Sequence, residues 1–132
     1  MWNKISTAPK NKEIILGVDS YDCGWVFDTG IHNGNGWKIP HIKGDSFCHM
    51  HYTHWLEPKL LYWRNIIYAP KDKVVVLGRK HVFRDMEVCS AWWSENDGKW
   101  VSTGTSNKTF IESEFTLFAI PENLPVHLIS VE

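Results

Sequence analysis

The residues best equipped for chemistry stand in one run, Cys48-His49-Met50-His51-Tyr52-Thr53-His54, with His41 and Asp45 just upstream. On an extended strand alternate side chains share a face, so His49 and His51 point the same way. Two imidazoles on one face plus a third ligand could hold zinc. Standard Cys/His ligand spacings are absent, however, and the plainer reading is a solvated polar face. Cys48 and His49 are adjacent and would point apart on a strand, which argues against a thiol–imidazole pair. There is no nucleophile elbow, P-loop, HExxH or deaminase signature, and no carboxylate pair that suggests general acid–base work. No enzymatic activity and no cofactor are expected from these patterns.

Two other features could bind rather than react. Trp92 and Trp93 are neighbours, so on a strand one ring leaves the core unless both faces are covered. Met86, Val88 and Trp92 share the face expected to be inward, which leaves Trp93, beside Glu87 and Ala91, as the exposed anchor. The plainer alternative is that the other half of the chain covers Trp93 as core. Lys10, Lys12, Lys71 and Lys73 recur in two turns; Lys10 and Lys71 could meet an anion or phosphate, although solvated turn lysines are common.

These residues sit on a chain that repeats itself. Trp2 to Gly17 reads WNKISTAPKNKEIILG and Trp63 to Gly78 reads WRNIIYAPKDKVVVLG, eight identities in sixteen positions at an offset of 61. The pattern is an internal duplication. Pro9 and Pro70 hold Ala8 and Ala69 out of the helical region. The Lys-Asn-Lys and Lys-Asp-Lys triplets read as turns. The runs Ile14-Ile15-Leu16 and Val74-Val75-Val76-Leu77 are apolar on both faces, as in a central strand covered on both sides. Trp2 and Trp63 are expected to fold back as lids on these strands.

The rest of each copy superposes at an offset of 63: Trp37 on Trp100, Phe47 on Phe110, Tyr52 on Phe115, Thr53 on Thr116, Trp55 on Phe118 and Pro58 on Pro121. About two residues were gained between Leu77 and Trp100, where a hairpin loop absorbs them cheaply. In this alignment residues 86–93 fall on 23–30, and His49 and His51 fall on Glu112 and Glu114. If these segments meet, two His and two Glu face each other as a metal site or a charge-paired seam. Residues 23–28 alternate as a strand, 29–36 read as a loop, and Asn96-Asp97-Gly98 is a hairpin turn. Residues 110–118 also fit a helical face, and Val126, Leu128 and Val131 could add an edge strand. The expected fold is mainly β: two tandem repeats, 1–61 and 62–132, each of about four short antiparallel strands, packed with pseudo-two-fold symmetry into one core. A unit of this size buries only about 60% of its unfolded surface, so a shared core is expected.

Composition narrows the class. The 132 residues are 43% hydrophobic and 22% charged with a net charge of −1, which suits a globular chain and argues against non-specific nucleic-acid binding. No apolar run approaches the roughly 20 residues of a membrane span. The motif starts at Trp2, leaving no room for a signal peptide. Cys23, Cys48 and Cys89 are odd in number and read as reduced, mostly buried thiols in a cytoplasmic protein.

Trp-x-x-Ile-x-x-Ala-Pro-Lys, the apolar strand, a mid-domain Trp and Thr53-His54-Trp55-Leu56-Glu57-Pro58 together resemble the small proteins of the domain-of-unknown-function 551 type, frequent in phages and prophages. The second copy keeps the opening but closes with Thr116-Leu117-Phe118-Ala119-Ile120-Pro121, without the His and Trp. The resemblance implies a small β fold and a phage setting, hence the host cytoplasm. Small accessory phage proteins often block or sequester a host component, so the expected function is a non-enzymatic, counter-defence binding protein. Its partner would be a host protein or a small nucleotide-like ligand. Two alternatives are a small metal-dependent enzyme using the His/Glu seam and a structural protein that forms homo-oligomers through a sheet edge.

Overall fold

The β-branched runs after the two Pro turns form the central strands. In the computed structural model the residues described are 2–20, 24–32, 37–38, 47–48, 52–80, 86–103 and 109–121. The first half contains β1 (Asn3–Lys4), β2 (Ile14–Ser20), β3 (Gly24–His32), β4 (Trp37–Lys38), β5 (Phe47–Cys48) and β6 (His54–Leu56). The second contains β7 (Arg64–Asn65), β8 (Val75–Arg79), β9 (Glu87–Ser94), β10 (Lys99–Ser102) and β11 (Leu117–Ala119). The protein is mainly β, and the ladders are antiparallel. One sheet runs β1-β6-β2-β3, and β4 and β5 continue it from the far end of β3; the other runs β7-β11-β8-β9-β10. Among the described residues four strands make the first sheet's main ladder, with the two-residue β4 and β5 continuing it, and five make the second, in line with the expected four or so per half.

The same pairings occur in both sheets. Leu16 faces Trp55 and Leu77 faces Phe118; Asn3 faces Trp55 and Arg64 faces Phe118. Trp37 lies opposite Cys48, and Ile111 N donates to Trp100 O at 2.9 Å, with a bridge from Val101 to Phe110. The pairings place the change of offset more closely than sequence did. Ile15 faces Thr29 and Val76 faces Ser90, so the offset is still 61 there; His32 faces Trp37 and Trp93 faces Trp100, so the change to 63 lies at the β9–β10 turn. Residues 86–93 therefore match 25–32, a correction of two positions. The strand β3 also extends to His32, beyond the expected loop start at 29. The β9–β10 turn is the Asn-Asp-Gly turn expected: Gly98 has φ +62, Gly98 N donates to Ser94 O at 2.8 Å, and Ser94 Oγ donates to Asp97 at 2.6 Å.

Alternation along β2 and β8 divides the core into three. Ile14 and Leu16 point into the first half's own cluster with Tyr52. Val75 and Leu77 point into the second half's cluster with Cys89, Ala91, Phe115 and Phe118. Ile15 and Val76 meet in a cluster that both halves share, together with Leu56 and Val88. Trp2, Phe27 and Trp63 pack on it, so the two tryptophans are the expected lids. Trp63 lies so close to β8 that a Cβ at Gly78 would sit 2.7 Å from its Cζ3; glycine is what lets the indole approach the strand.

A polar seam adjoins the shared cluster. Asp28 accepts hydrogen bonds from Tyr52 OH at 3.0 Å, Ser90 Oγ at 3.2 Å and Thr103 Oγ1 at 2.6 Å. Ser90 N donates to Thr29 Oγ1 at 3.0 Å, and Val88 N donates to Glu13 at 3.1 Å. Residues 109–116 form a bridge and turn, with no helix in this stretch. The edge strand expected after residue 121 falls outside the described residues. No described helix is long and apolar enough to cross a membrane.

Candidate functional site

The β9–β10 hairpin builds the site. Its four-residue turn sets Trp93 opposite Trp100, and the two rings meet edge to face with centroids 5.3 Å apart. Such a pair fixes both rings, because the positive edge of one meets the negative face of the other. Pro70 and the following turn bring Lys71 to the same place, with Nζ 4.2 Å from the Trp93 centroid. Lys99, the first residue of β10, lies with Nζ 5.0 Å from the Phe110 ring. Lys71, Trp93, Lys99 and Trp100, together with Ile67 and Glu112, line a pocket of about 480 Å³. That volume suits a small organic ligand. Leu77 and Phe115 link the pocket to the second half's core.

Arg79 holds one wall. Its guanidinium bonds Glu87 and reaches Glu112 at 3.3 Å and Glu114 at 4.0 Å, and it lies over Phe115 at 5.1 Å. The hydrogen bond to Glu87 pushes the Arg79 pKa further up, so the peg is a permanent cation. The turn from Glu112 to Phe115, closed by Phe115 N donating to Glu112 O at 3.2 Å, is thereby tied to β8 and β9.

Of the residues singled out from sequence, Lys71, Trp93 and Glu112 come together in this pocket. Trp93 is half-buried and Trp92 is the more exposed at 37%, the reverse of the expected faces. The cause is strand parity: Cys89, Ala91 and Trp93 share the face of the second half's cluster, whose open end is the pocket. Val88 and Ser90, on the Trp92 face, meet the first half. Trp93 is covered by its own Trp100 and Lys71.

His54 is 4% exposed on β6, with Nδ1 2.9 Å from Thr53 Oγ1, and is part of the packed sheet rather than a surface ligand. Lys10 is exposed at the register position of Lys71 in the first half. Lys12 is engaged with Glu57 at 2.7 Å. His49 and His51 lie outside the described residues, and Glu112 and Glu114 are gathered by Arg79. Among the described residues no three His, Cys, Asp or Glu side chains are placed to hold a metal ion. Cys89 is a buried free thiol that burial pushes up to about 11, so it is neutral near physiological pH; Cys23 lies outside the described residues.

Sequence reasoning missed Lys99 and Trp100. The signal was present in the hairpin: a turn at 95–98 pairs 94 with 99 and therefore 93 with 100. Comparisons with protein families, curated proteins and solved structures find no match to this chain.

Proposed function

We propose that this chain is a small phage-type binding protein, not an enzyme, that sequesters a nucleotide-like host molecule in the Trp93–Trp100 pocket and so serves as a counter-defence inhibitor. One observation carries the reading: a fixed indole pair, with the Lys71 ammonium over one of its rings, lines a pocket that the Lys99 side chain also borders. Indole faces stack on any planar base, and lysines pair with phosphate as point charges. The pocket is cationic by one charge, Lys71 and Lys99 against Glu112, in a chain whose net charge is −1. The sequence resemblance supports the phage setting and the cytoplasm of the host.

Native mass spectrometry of untagged protein purified from cells is expected to show a retained small molecule. Trp93→Ala is expected to weaken its binding roughly 5- to 150-fold, the range for losing one stacked base. Tryptophan fluorescence titration with the released molecule reads that change. A clean apo mass, or a retained molecule that Trp93→Ala binds as tightly as wild type, would sink the pocket assignment.

A second reading, capture of a host protein or self-assembly, is favoured by a different surface. Tyr62, Ile67 and Tyr68 are 80%, 74% and 62% exposed. The first copy has Ser6 and Thr7 in the same 3-10 turn, so the fold does not require apolar residues there. This reading expects a dimer or larger species in light scattering at high concentration, or a host protein retained by wild type and lost in Ile67→Asp. A sharp monomer that retains no protein counts against it.

A further inference from the structure

The cation of the pocket rests where a ring would stack. Lys71 Nζ lies over the face of Trp93 at 4.2 Å, while Trp100 occupies the edge-to-face position on the same indole at 5.3 Å and 69°. Trp100 is fixed by the β10 ladder and by the second half's cluster. Lys71 is an exposed side chain on a turn, carried by a flexible four-carbon stem. Of the two groups on Trp93, only Lys71 is free to move aside without disturbing the sheet.

We propose that Lys71 is a specificity-determining residue, a displaceable cover on Trp93 that lets the pocket accept a ring only when the same molecule carries an anion. The proposal rests on the pocket reading above and adds the rule for what enters. A ring that stacks on Trp93 must lift the ammonium off the indole, and the cation–π attraction is then lost. An anionic group on the same molecule replaces that contact with a charge-assisted one, because the stem can swing the ammonium to it. A neutral ring has nothing to offer the displaced ammonium. A lone anion can draw Lys71 away but leaves the indole face bare. Ring and anion are therefore worth more joined than apart, although each touches a different group.

The first copy lacks this arrangement. Its residues at the two positions are Lys10 and His32, and Asn11 N donates to His32 O at 2.9 Å, tying the lysine turn to the β3 backbone. An imidazole is a weaker stacking floor than an indole and repels an ammonium when protonated. The cover is thus expected on one half of the chain.

Isothermal titration with the four ribonucleoside 5′-monophosphates and the four matching nucleosides tests this on the full chain. Wild type is expected to prefer at least one monophosphate over its nucleoside. Lys71→Ala is expected to weaken that monophosphate and to tighten the nucleoside about two- to fivefold, the size of a surface cation–π contact. Lys71→Arg keeps a cation on the ring and is expected to restore the preference. If Lys71→Ala weakens the monophosphate while nucleoside binding stays the same or falls, Lys71 is a simple anion ligand and the cover is wrong. If wild type binds no monophosphate, or Trp93→Ala binds it as tightly as wild type, the pocket reading itself fails. Lys71 is exposed, so matching circular dichroism of the variants is expected and checks that folding is intact.

Discussion

Ile15→Ala is expected to destabilise the whole protein by about 2–5 kcal/mol, the range for truncating a fully buried Ile. Ile15 is completely buried in the cluster that Val76 and Val88 of the other half complete. The cavity would open between two sheets, not inside one. Each sheet is held by strands on both sides of β2 and β8, so neither can easily collapse into the gap. Urea unfolding should show one transition, shifted to lower denaturant, with the same midpoint by tryptophan fluorescence and by far-ultraviolet circular dichroism. Two separate transitions, or a loss below about 1 kcal/mol, would mean that the halves do not share a core energetically.

Asp28→Ala is expected to be the next most damaging change, at about 2–3 kcal/mol. Its carboxylate accepts three hydroxyl donors, one from its own half and two from the other. Hydrogen bonds to charged acceptors are the stronger kind, but part of the loss is recovered here. Ser90 Oγ and Thr103 Oγ1 are 2.6 Å apart and can continue to bond each other. The Tyr52 hydroxyl, on an otherwise buried ring, loses its 3.0 Å bond to the carboxylate. Asp28→Ala combined with Tyr52→Phe should therefore be less damaging than the sum of the two, by a double-mutant cycle on chemical unfolding. Strict additivity would show that the Tyr52–Asp28 bond contributes nothing.

Much of this architecture was legible because its signals are local. Pro9 and Pro70 set the turns, the apolar runs after them had to be covered on both faces, and Asn96-Asp97-Gly98 announced a hairpin. The two offsets, 61 and 63, recur in the cross-strand registers of the two halves. Where the offset changes was not legible. Residues 86–93 and 25–32 share too few residue types to fix a register, and only the cross-strand partners of Ser90 and Trp93 decide it. That two-position error matched the wrong residues of the first copy to Trp92 and Trp93. Their faces were misread separately, because alternation shows which residues share a face and not which face is covered. The candidate site was half visible: Lys71 stood out by repetition, Trp93 by type in one half alone and Glu112 as a ligand candidate, whereas Lys99 and Trp100 entered through backbone pairing. His54 misled because a histidine in a polar-looking run can still be packed into a sheet.

The seam around Asp28 has a meaning for how such a chain can evolve. Across it, positions related by the offset of 61 lie in one cluster: Ile15 with Val76, Phe27 with Val88, Trp2 with Trp63. An interface between two identical molecules obeys reciprocity, since whatever one copy presents the other must present too. A carboxylate at position 28 would then come in duplicate, two negative charges in one partly dry seam. Joining the copies in one polypeptide lifts that constraint. Position 28 is Asp and position 89, 61 residues on, is Cys; position 52 is Tyr and position 115, 63 residues on, is Phe. One gene can thus hold a polar fastening on one side and an apolar filling on the other. Both inventions would be inherited together, and neither is open to a protein that must pair with itself.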